Sequence, residues 1–80
     1  TAVKQCTRVP INDNEAAAFT SFVFNVGPTA FCGSTLVQKL NGGDHKGACD
    51  ELMRWTYAKG KFLRGLAKRR AEEKVLCLTP

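Results

Sequence analysis

The sequence predicts an all-α fold, a compact bundle of about five short helices around one buried central helix. Three observations predict it. Apolar residues recur at helical spacing, helix caps and glycine or proline stops punctuate the chain, and no segment alternates polar and apolar residues over strand length. Connections of two to six residues leave no internal linker. With 80 residues, 44% hydrophobic and 24% charged, a single domain is expected.

The central helix is expected over residues 13–26. Asn12 is the predicted N-cap, and Glu15, three residues further on, completes a capping box. Apolar side chains then occupy nearly the whole circumference, which is typical of a helix buried on all sides. Gly27 and Pro28 follow directly and are expected to end the helix, because glycine suits the C-terminal cap and proline prevents continuation.

Shorter elements are expected on both sides of this helix. Residues 2–6 are typical of the end of a helix whose beginning is missing, and Asp44 is the predicted cap of a later helix. The other predicted elements are a tight connection at 28–33, helices at 34–41, 45–55 and about 64–77, and a turn at 58–61. The side of the last helix expected to face the core carries Leu63, Leu66, Ala67, Ala71, Val75 and Leu78.

The charge is positive and concentrated near the C-terminal end. Twelve Lys and Arg against seven Asp and Glu give a net charge of +5. Seven of the cations lie in the last 22 residues: Lys59, Lys61, Arg64, Lys68, Arg69, Arg70 and Lys74. Such a distribution favours anionic partners, namely nucleic acid, phospholipid head groups or the bacterial envelope. A solvated helix face is the alternative, since Lys68–Glu72 and Arg69–Glu73 have i,i+4 spacing.

The four cysteines, Cys6, Cys32, Cys49 and Cys77, predict two disulfides and an oxidising compartment. Spacing alone leaves all three possible pairings open. No close pair of cysteines offers zinc ligands, so no metal site is expected. His45 is the single histidine and gives weak support to a catalytic cysteine. Four reduced thiols in a cytosolic protein remain an alternative.

The acidic residues form no complete active site. Glycosidic hydrolysis needs two carboxylates flanking the bond, one of them kept protonated by an apolar setting. Each acid here is expected at a helix start, on a polar face or beside a cation, and Asp50 and Glu51 project about 100° apart on one helix. There is no glycine-rich phosphate loop or nucleophile triad, no cofactor is expected, and no apolar run reaches the ~18 residues that cross a bilayer.

Five blocks of sequence, in order, resemble the phage-type lysozymes of glycoside hydrolase family 24. They cover about residues 18–77 and stand at 22–27 (FVFNVG), 33–36 (GSTL), 40–44 (LNGGD), 54–61 (RWTYAKGK) and 65–73 (GLAKRRAEE). The resemblance implies a muramidase that cuts the β-1,4 bond between N-acetylmuramic acid and N-acetylglucosamine in peptidoglycan.

The resemblance also implies that only the C-terminal helical lobe of such an enzyme is present. Residues 1–9 would be the end of the inter-lobe helix and its linker, and residues 10–80 the helical core. The family's catalytic Glu belongs to the N-terminal lobe, so no catalytic residue is expected here and the chain alone is expected to be inactive. The implied partners are peptidoglycan strands and the missing N-terminal lobe, in the same or a companion chain. The implied location is the periplasm or the cell exterior.

Carried over residue by residue, the family's saccharide contacts correspond to Phe24, Thr35 and Glu51. Phe24 matches an aromatic residue near the cleft, and Thr35 matches a hydroxyl at a helix start. Core packing is the alternative role for Phe24 and capping for Thr35. Glu51 stands where the family has an amide, and a carboxylate would still accept hydrogen bonds from sugar hydroxyls.

The resemblance further implies disulfides Cys32–Cys49 and Cys6–Cys77, because those helix ends are neighbours in the family's lobe. The basic last helix would then face the anionic cell wall. Two other functions are weighed against this one. The first is a non-catalytic basic module that binds peptidoglycan or a protein. The second is a DNA-binding module, which fits poorly with disulfide-bonded cysteines and is not favoured.

Overall fold

A computed structural model describes residues 2–58 and 60–80 and confirms the all-α class. The helices are α1 (Ala2–Cys6), α2 (Asp13–Val26), α3 (Pro28–Cys32), α4 (Thr35–Asn41), α5 (His45–Glu51) and α6 (Arg64–Leu78). A 3₁₀ turn (Leu52–Arg54) and two short strands, β1 (Tyr57–Ala58) and β2 (Lys61–Phe62), lie between α5 and α6. Thr1 and Lys59 are outside the described residues. Thr1 is the first residue of the predicted segment 1–9, and Lys59 belongs to the predicted turn at 58–61.

Helix α2 has the predicted bounds because its ends carry strong local signals. The Asn12 side chain accepts a hydrogen bond from the Glu15 backbone N–H at 2.7 Å, and the Glu15 carboxylate accepts one from the Asn12 N–H at 3.0 Å. This is the predicted capping box. At the other end Gly27 has φ +93°, a conformation that costs glycine little. Helix α2, capped at both ends, packs against α3 and α6.

The core is built around α2 and is strongly aromatic. Phe22 meets Trp55 edge to face, with ring centroids 5.2 Å apart, and contacts Phe31 at 6.2 Å. The buried apolar residues are Val3, Ala18, Phe19, Phe22, Phe31, Leu36, Val37, Leu40, Ala48, Cys49, Leu52 and Cys77. The helix is not buried all round, however, because Phe24 is 91% exposed. Core packing is therefore not the role of Phe24.

The predicted core-facing side of α6 is wrong. The buried residues of this helix are Arg70, Glu73 and Cys77, at i, i+3 and i+7 spacing. Val75 is 69% exposed and Leu78 43% exposed. A helix turns about 100° per residue, so burying Arg70 and Cys77 on one stripe turns Val75 to the opposite side. The orientation of α6 about its axis is therefore decided by burial of a charged pair and a disulfide, and not by burial of its apolar residues.

The segment after α5 differs from the helix predicted over 45–55. Helix α5 ends at Glu51, and the 3₁₀ turn leads into an antiparallel hairpin in which Tyr57 pairs with Phe62 and Ala58 with Lys61. The hairpin is closed by a hydrogen bond from the Leu63 N–H to the carbonyl of residue 56, 3.0 Å long. Strands of two residues carry no detectable period-two pattern, so sequence periodicity could not predict them.

The disulfides form, but with the pairing that the resemblance did not imply. Cys6 is bonded to Cys32 and Cys49 to Cys77, with Cα–Cα distances of 5.5 and 5.8 Å. The expected pairs Cys32–Cys49 and Cys6–Cys77 are wrong. The reason is that α1 packs against α3 and α5 packs against α6, so each cysteine faces the partner that its own helix contacts.

Candidate functional site

A surface hollow of about 310 Å³ brings together two of the predicted saccharide-binding residues. It is lined by Thr35, Leu36, Glu51, Arg54 and Trp55. Thr35 is the first residue of α4, which begins there because the Ser34 side chain accepts a hydrogen bond from the Val37 N–H.

Two successive short elements complete the hollow. Glu51 is the last residue of α5, and the 3₁₀ turn that follows brings Arg54 and then Trp55 to the same place. Helices α4 and α5 pack against each other, and the start of α4 and the end of α5 line the same hollow.

The Glu51 carboxylate is the electrostatic centre of this hollow. It is 5% exposed, and its two oxygens contact different cations: Oε1 lies 2.7 Å from Lys39 Nζ and Oε2 lies 3.0 Å from Arg54 Nε. Arg54 is largely solvent-exposed and Lys39 is partly so. One negative and two positive charges leave a positive surplus at the rim, and donors at Lys39 and Arg54 remain available to a polar ligand.

Phe24, the third predicted contact, does not share that hollow. Its ring stands in solvent beside a second hollow of about 460 Å³, lined also by Ser21, Arg69, Glu72, Glu73 and Leu76. The three predicted residues therefore occupy two separate depressions: Thr35 and Glu51 line one, and Phe24 lines the other.

A buried charged network lies beneath the Phe24 hollow. Arg70 is fully buried, with Nε 2.6 Å from Glu73 Oε1 and Nη2 donating to Glu73 Oε2 at 2.9 Å. Arg70 Nη1 donates to the Asn25 side chain at 3.0 Å, and the Ser21 hydroxyl donates to Glu73 at 2.5 Å. The Arg70 guanidinium also lies 5.0 Å from the Phe22 ring centroid. These contacts hold α6 against α2 under the exposed Phe24 ring.

Sequence reasoning missed Lys39, Arg54 and Trp55 as lining or anchoring residues. One signal was available, because Glu51 and Arg54 are three residues apart, a spacing at which opposite charges pair on a helical turn. Lys39 belongs to α4, and nothing local relates it to Glu51. Likewise Glu73 pairs with Arg70 and not with Arg69, the partner suggested by i,i+4 spacing.

His45 contacts a carboxylate and not a cysteine. Its Nδ1 lies 2.6 Å from Oε2 of Glu15, so it links the start of α5 to the cap of α2. Over residues 2–58 and 60–80 there is no group of three or more His, Cys, Asp and Glu side chains placed to hold a metal ion. In the same described part of the chain, no helix combines the length and apolar character needed to cross a membrane.

A small helical bundle with a polar, aromatic-walled hollow is the class of structure that the fold and site define, and comparison with known proteins assigns its family. The phage lysozyme family model matches residues 1–73, and the chain belongs to that family, matching its C-terminal part. The SAR-endolysin of Bacteriophage PS119 is 52% identical over 71 residues, which cover 89% of this chain and 42% of that protein.

Two solved structures share the fold closely. A variant of P22 lysozyme superimposes with a TM-score of 0.90 at 37% identity, covering 98% of this chain and 53% of that one. The muramidase domain of SpmX from Asticaccaulis excentricus gives a TM-score of 0.91 at 36% identity, covering 99% and 56%. The chain thus spans about half the length of the proteins it matches, and slightly less of the curated relatives.

Proposed function

We propose that residues 1–80 act as the C-terminal helical lobe of a phage endolysin that hydrolyses the β-1,4 bond between N-acetylmuramic acid and N-acetylglucosamine in peptidoglycan. In this proposal the lobe forms one wall of the saccharide cleft, and an N-terminal lobe, from the same or a companion chain, supplies the catalytic Glu. The observation that carries the proposal is that residues 1–73 match the phage lysozyme family and that the fold closely resembles that of P22 lysozyme. Residues 1–9 then continue from the inter-lobe helix, and residues 10–80 are the helical core.

The hollow beside Thr35 has the chemistry that a sugar ring requires. Sugars present hydroxyl groups at their edges and apolar C–H groups on their faces, so their sites combine hydrogen-bonding groups with an aromatic wall. Here Thr35, Arg54 and Glu51 supply hydrogen-bonding groups, and Trp55, which lines the same hollow, supplies an aromatic ring. We assign Thr35 and Glu51 to contacts with one part of the glycan strand.

Phe24 is assigned to a further contact with the glycan. Its exposed ring offers an apolar face at the second hollow, where Arg69 and Glu72 provide polar groups. The buried Arg70–Glu73 pair supports that surface from below. A glycan strand that follows the lobe would then meet two short polar hollows, each with an aromatic residue.

The two disulfides support action in an oxidising compartment, the periplasm or the cell exterior. Cytosolic thiols are ordinarily kept reduced, and both bridges here cross-link separate helices. The proposal therefore places the protein with its peptidoglycan substrate in the bacterial envelope.

A chimera tests the proposal directly. The part of the PS119 SAR-endolysin that precedes the matched segment is fused to residues 1–80, and clearing of a peptidoglycan suspension is measured with release of reducing sugar ends. We expect residues 1–80 alone to be inactive and the chimera to be active. Activity of the isolated chain would contradict the proposal that another lobe supplies the catalytic Glu. A folded but inactive chimera would contradict the proposal that residues 1–80 form one wall of the cleft.

Single substitutions in the chimera test the binding residues. Thr35→Val removes one hydrogen-bonding hydroxyl and should raise KM about fivefold with little change in kcat, since a hydrogen bond contributes about 1 kcal/mol. Thr29→Val, at an exposed threonine of α3, is the matched control and should leave KM unchanged. Equal KM values for the two variants would remove Thr35 from the site.

A further inference from the structure

The two disulfides differ in how far they are exposed. Cys49 is 1% exposed and Cys77 3%, and both belong to the core cluster. Cys6 and Cys32 are only partly buried and pack against that cluster. All four cysteines lie in the last turn of their helices, so position within the helix does not distinguish the two bridges. Burial does.

A surface hollow of about 460 Å³ leads to the more exposed bridge, and we call it the bridge hollow. It is lined by Gln5, Cys6, Arg8, Cys32, Val37, Gln38 and Asn41. Arg8 is the charged residue among these described side chains, so an approaching thiolate meets a cation there. A hollow of about 290 Å³ has Cys49 and Cys77 among its lining residues, but Glu15 also lines it and the two cysteines are almost wholly covered.

The bridge hollow faces away from the proposed saccharide hollow. Helix α4 contributes Thr35 and Leu36 to the saccharide hollow. It contributes Val37, Gln38 and Asn41 to the bridge hollow. Because a helix turns about 100° per residue, these two sets lie on roughly opposite sides of α4. In the arrangement proposed above, an N-terminal lobe that completes the saccharide cleft would cover the first side and leave the bridge hollow open.

We propose that Cys6–Cys32 is a site of thiol–disulfide exchange that takes a small soluble thiol, while Cys49–Cys77 is protected by burial. An external thiolate attacks one sulfur, forms a mixed disulfide with that cysteine and expels the other cysteine, which takes up the proton that the external thiol gave up. A second thiol, from another molecule or from the same dithiol, attacks the mixed disulfide and frees the remaining cysteine. Two electrons pass from the external thiols, which leave as a disulfide, to the bridge. The rate of such exchange depends on access to the sulfur atoms.

Opening this bridge should loosen α1. The helix has five residues, Ala2–Cys6, which is too short for a helix to persist by itself. Its non-covalent anchors include the buried Val3 side chain and the Asn41 carboxamide. Asn41 Nδ2 donates to the Cys6 carbonyl at 2.9 Å, and Asn41 Oδ1 accepts from the Arg8 N–H at 2.7 Å. The bridge is therefore a redox-sensitive attachment of α1 to α3.

Partial reduction of the folded chain of residues 1–80 tests the proposal, with dithiothreitol as the probe. Samples are alkylated at intervals and digested with trypsin, and mass spectrometry follows each cysteine. Cys6 and Cys32 should be alkylated at least about tenfold faster than Cys49 and Cys77. In concentrated urea all four should react at similar rates, because the fold no longer covers any of them. Similar rates in the folded chain would overturn the proposal, and a difference that persists in urea would show that burial is not its cause.

Hydrogen exchange of Cys6→Ser/Cys32→Ser tests the loosening of α1. The Thr7 and Arg8 amides donate to the Val3 carbonyl and to Asn41 respectively. They should lose at least about tenfold more protection than the amides of α6. Equal loss in both places would overturn the assignment, since the bridge would then stabilise the fold as a whole. The alkylation rates need no substitution, so they decide the exchange site even where a variant is unfolded.

Cys49→Ser/Cys77→Ser is the matched control, because it removes the buried bridge and keeps the exposed one. Cys6 and Cys32 should be reduced in this variant at the parent rate, and circular dichroism checks that the variant is folded. Slow reduction of Cys6–Cys32 in the folded control would overturn the proposal. The external thiol would then enter at Cys49–Cys77 and reach the other bridge by exchange within the protein.

Discussion

At the scale of single residues, the buried charged side chains have the largest consequences for stability. Arg70 is fully buried, and its guanidinium is shared among Glu73, Asn25 and the Phe22 ring. Removing water from both ions is costly, and the cost is offset only while both are present and hydrogen-bonded. Glu51 is buried in a similar way between Lys39 and Arg54, but its partners remain in contact with solvent. Packing in the interior thus holds Glu73 in place, whereas cations at the surface hold Glu51 in place.

Arg70→Met should destabilise the protein by about 3 kcal/mol, because it leaves the Glu73 carboxylate buried without its cation. The double variant Arg70→Met/Glu73→Leu should be more stable than Arg70→Met, since no unpaired charge remains. Urea denaturation of the parent, the two single variants and the double variant gives the coupling energy. Lys74→Met, which breaks the partly exposed pair with Asp50, is the control and should change stability by less than about 1 kcal/mol. Additive effects of the two core substitutions would contradict the coupling.

At the scale of elements, helix ends follow local rules while helix faces do not. The capping box at Asn12 and the positive φ of Gly27 fix the bounds of α2 within a few residues of sequence. Helix α6 has no side-chain N-cap hydrogen bond, and its buried stripe contains more charge than apolar surface. Its orientation comes from contacts with α2 and α5, made by Arg70, Glu73 and Cys77.

Two glycine-to-alanine substitutions should change stability in opposite directions. Gly27→Ala should destabilise by about 1 kcal/mol, because alanine is strained at φ +93° although no atom lies within 4 Å of the added Cβ. Gly65→Ala should stabilise by about 0.5 kcal/mol, because the position is helical, has no positive φ and is equally open. Thermal and urea unfolding measure both changes. Stabilisation by Gly27→Ala would show that strain at the helix end does not control this boundary.

At the scale of the whole molecule, two covalent bridges join helices that are distant in sequence. Cys6–Cys32 ties α1 to α3, and Cys49–Cys77 ties α5 to α6, with sequence separations of 26 and 28. In the chain-entropy model, closing a loop of this size lowers the entropy of the unfolded chain and stabilises the fold by about 3.5 kcal/mol per bridge. For a chain with a small core, that contribution is comparable with the net stability of a typical domain.

A tryptic digest under non-reducing conditions should show the pairing. Cleavage after lysine and arginine separates the four cysteines into peptides 5–8, 9–39, 47–54 and 75–80. We expect mass spectrometry to find 5–8 joined to 9–39, and 47–54 joined to 75–80. A joined pair of 5–8 and 75–80 would contradict the observed arrangement. Reducing the digest should release all four peptides. Reducing the intact protein should lower its unfolding midpoint, because the bridges restrict the unfolded chain.

The sequence by itself determined the all-α class, the bounds of α2, the caps at Asn12 and Asp44, and the family resemblance that the comparisons confirm. These follow from signals that act over three or four residues, or from ordered blocks that can be recognised directly.

The tertiary structure alone decided the disulfide pairing, the buried side of α6, the Lys39–Glu51 contact and the exposure of Phe24, Tyr57 and Phe62. Each of these depends on which distant helices pack together. That choice minimises the free energy of the whole core, so no local pattern can report it.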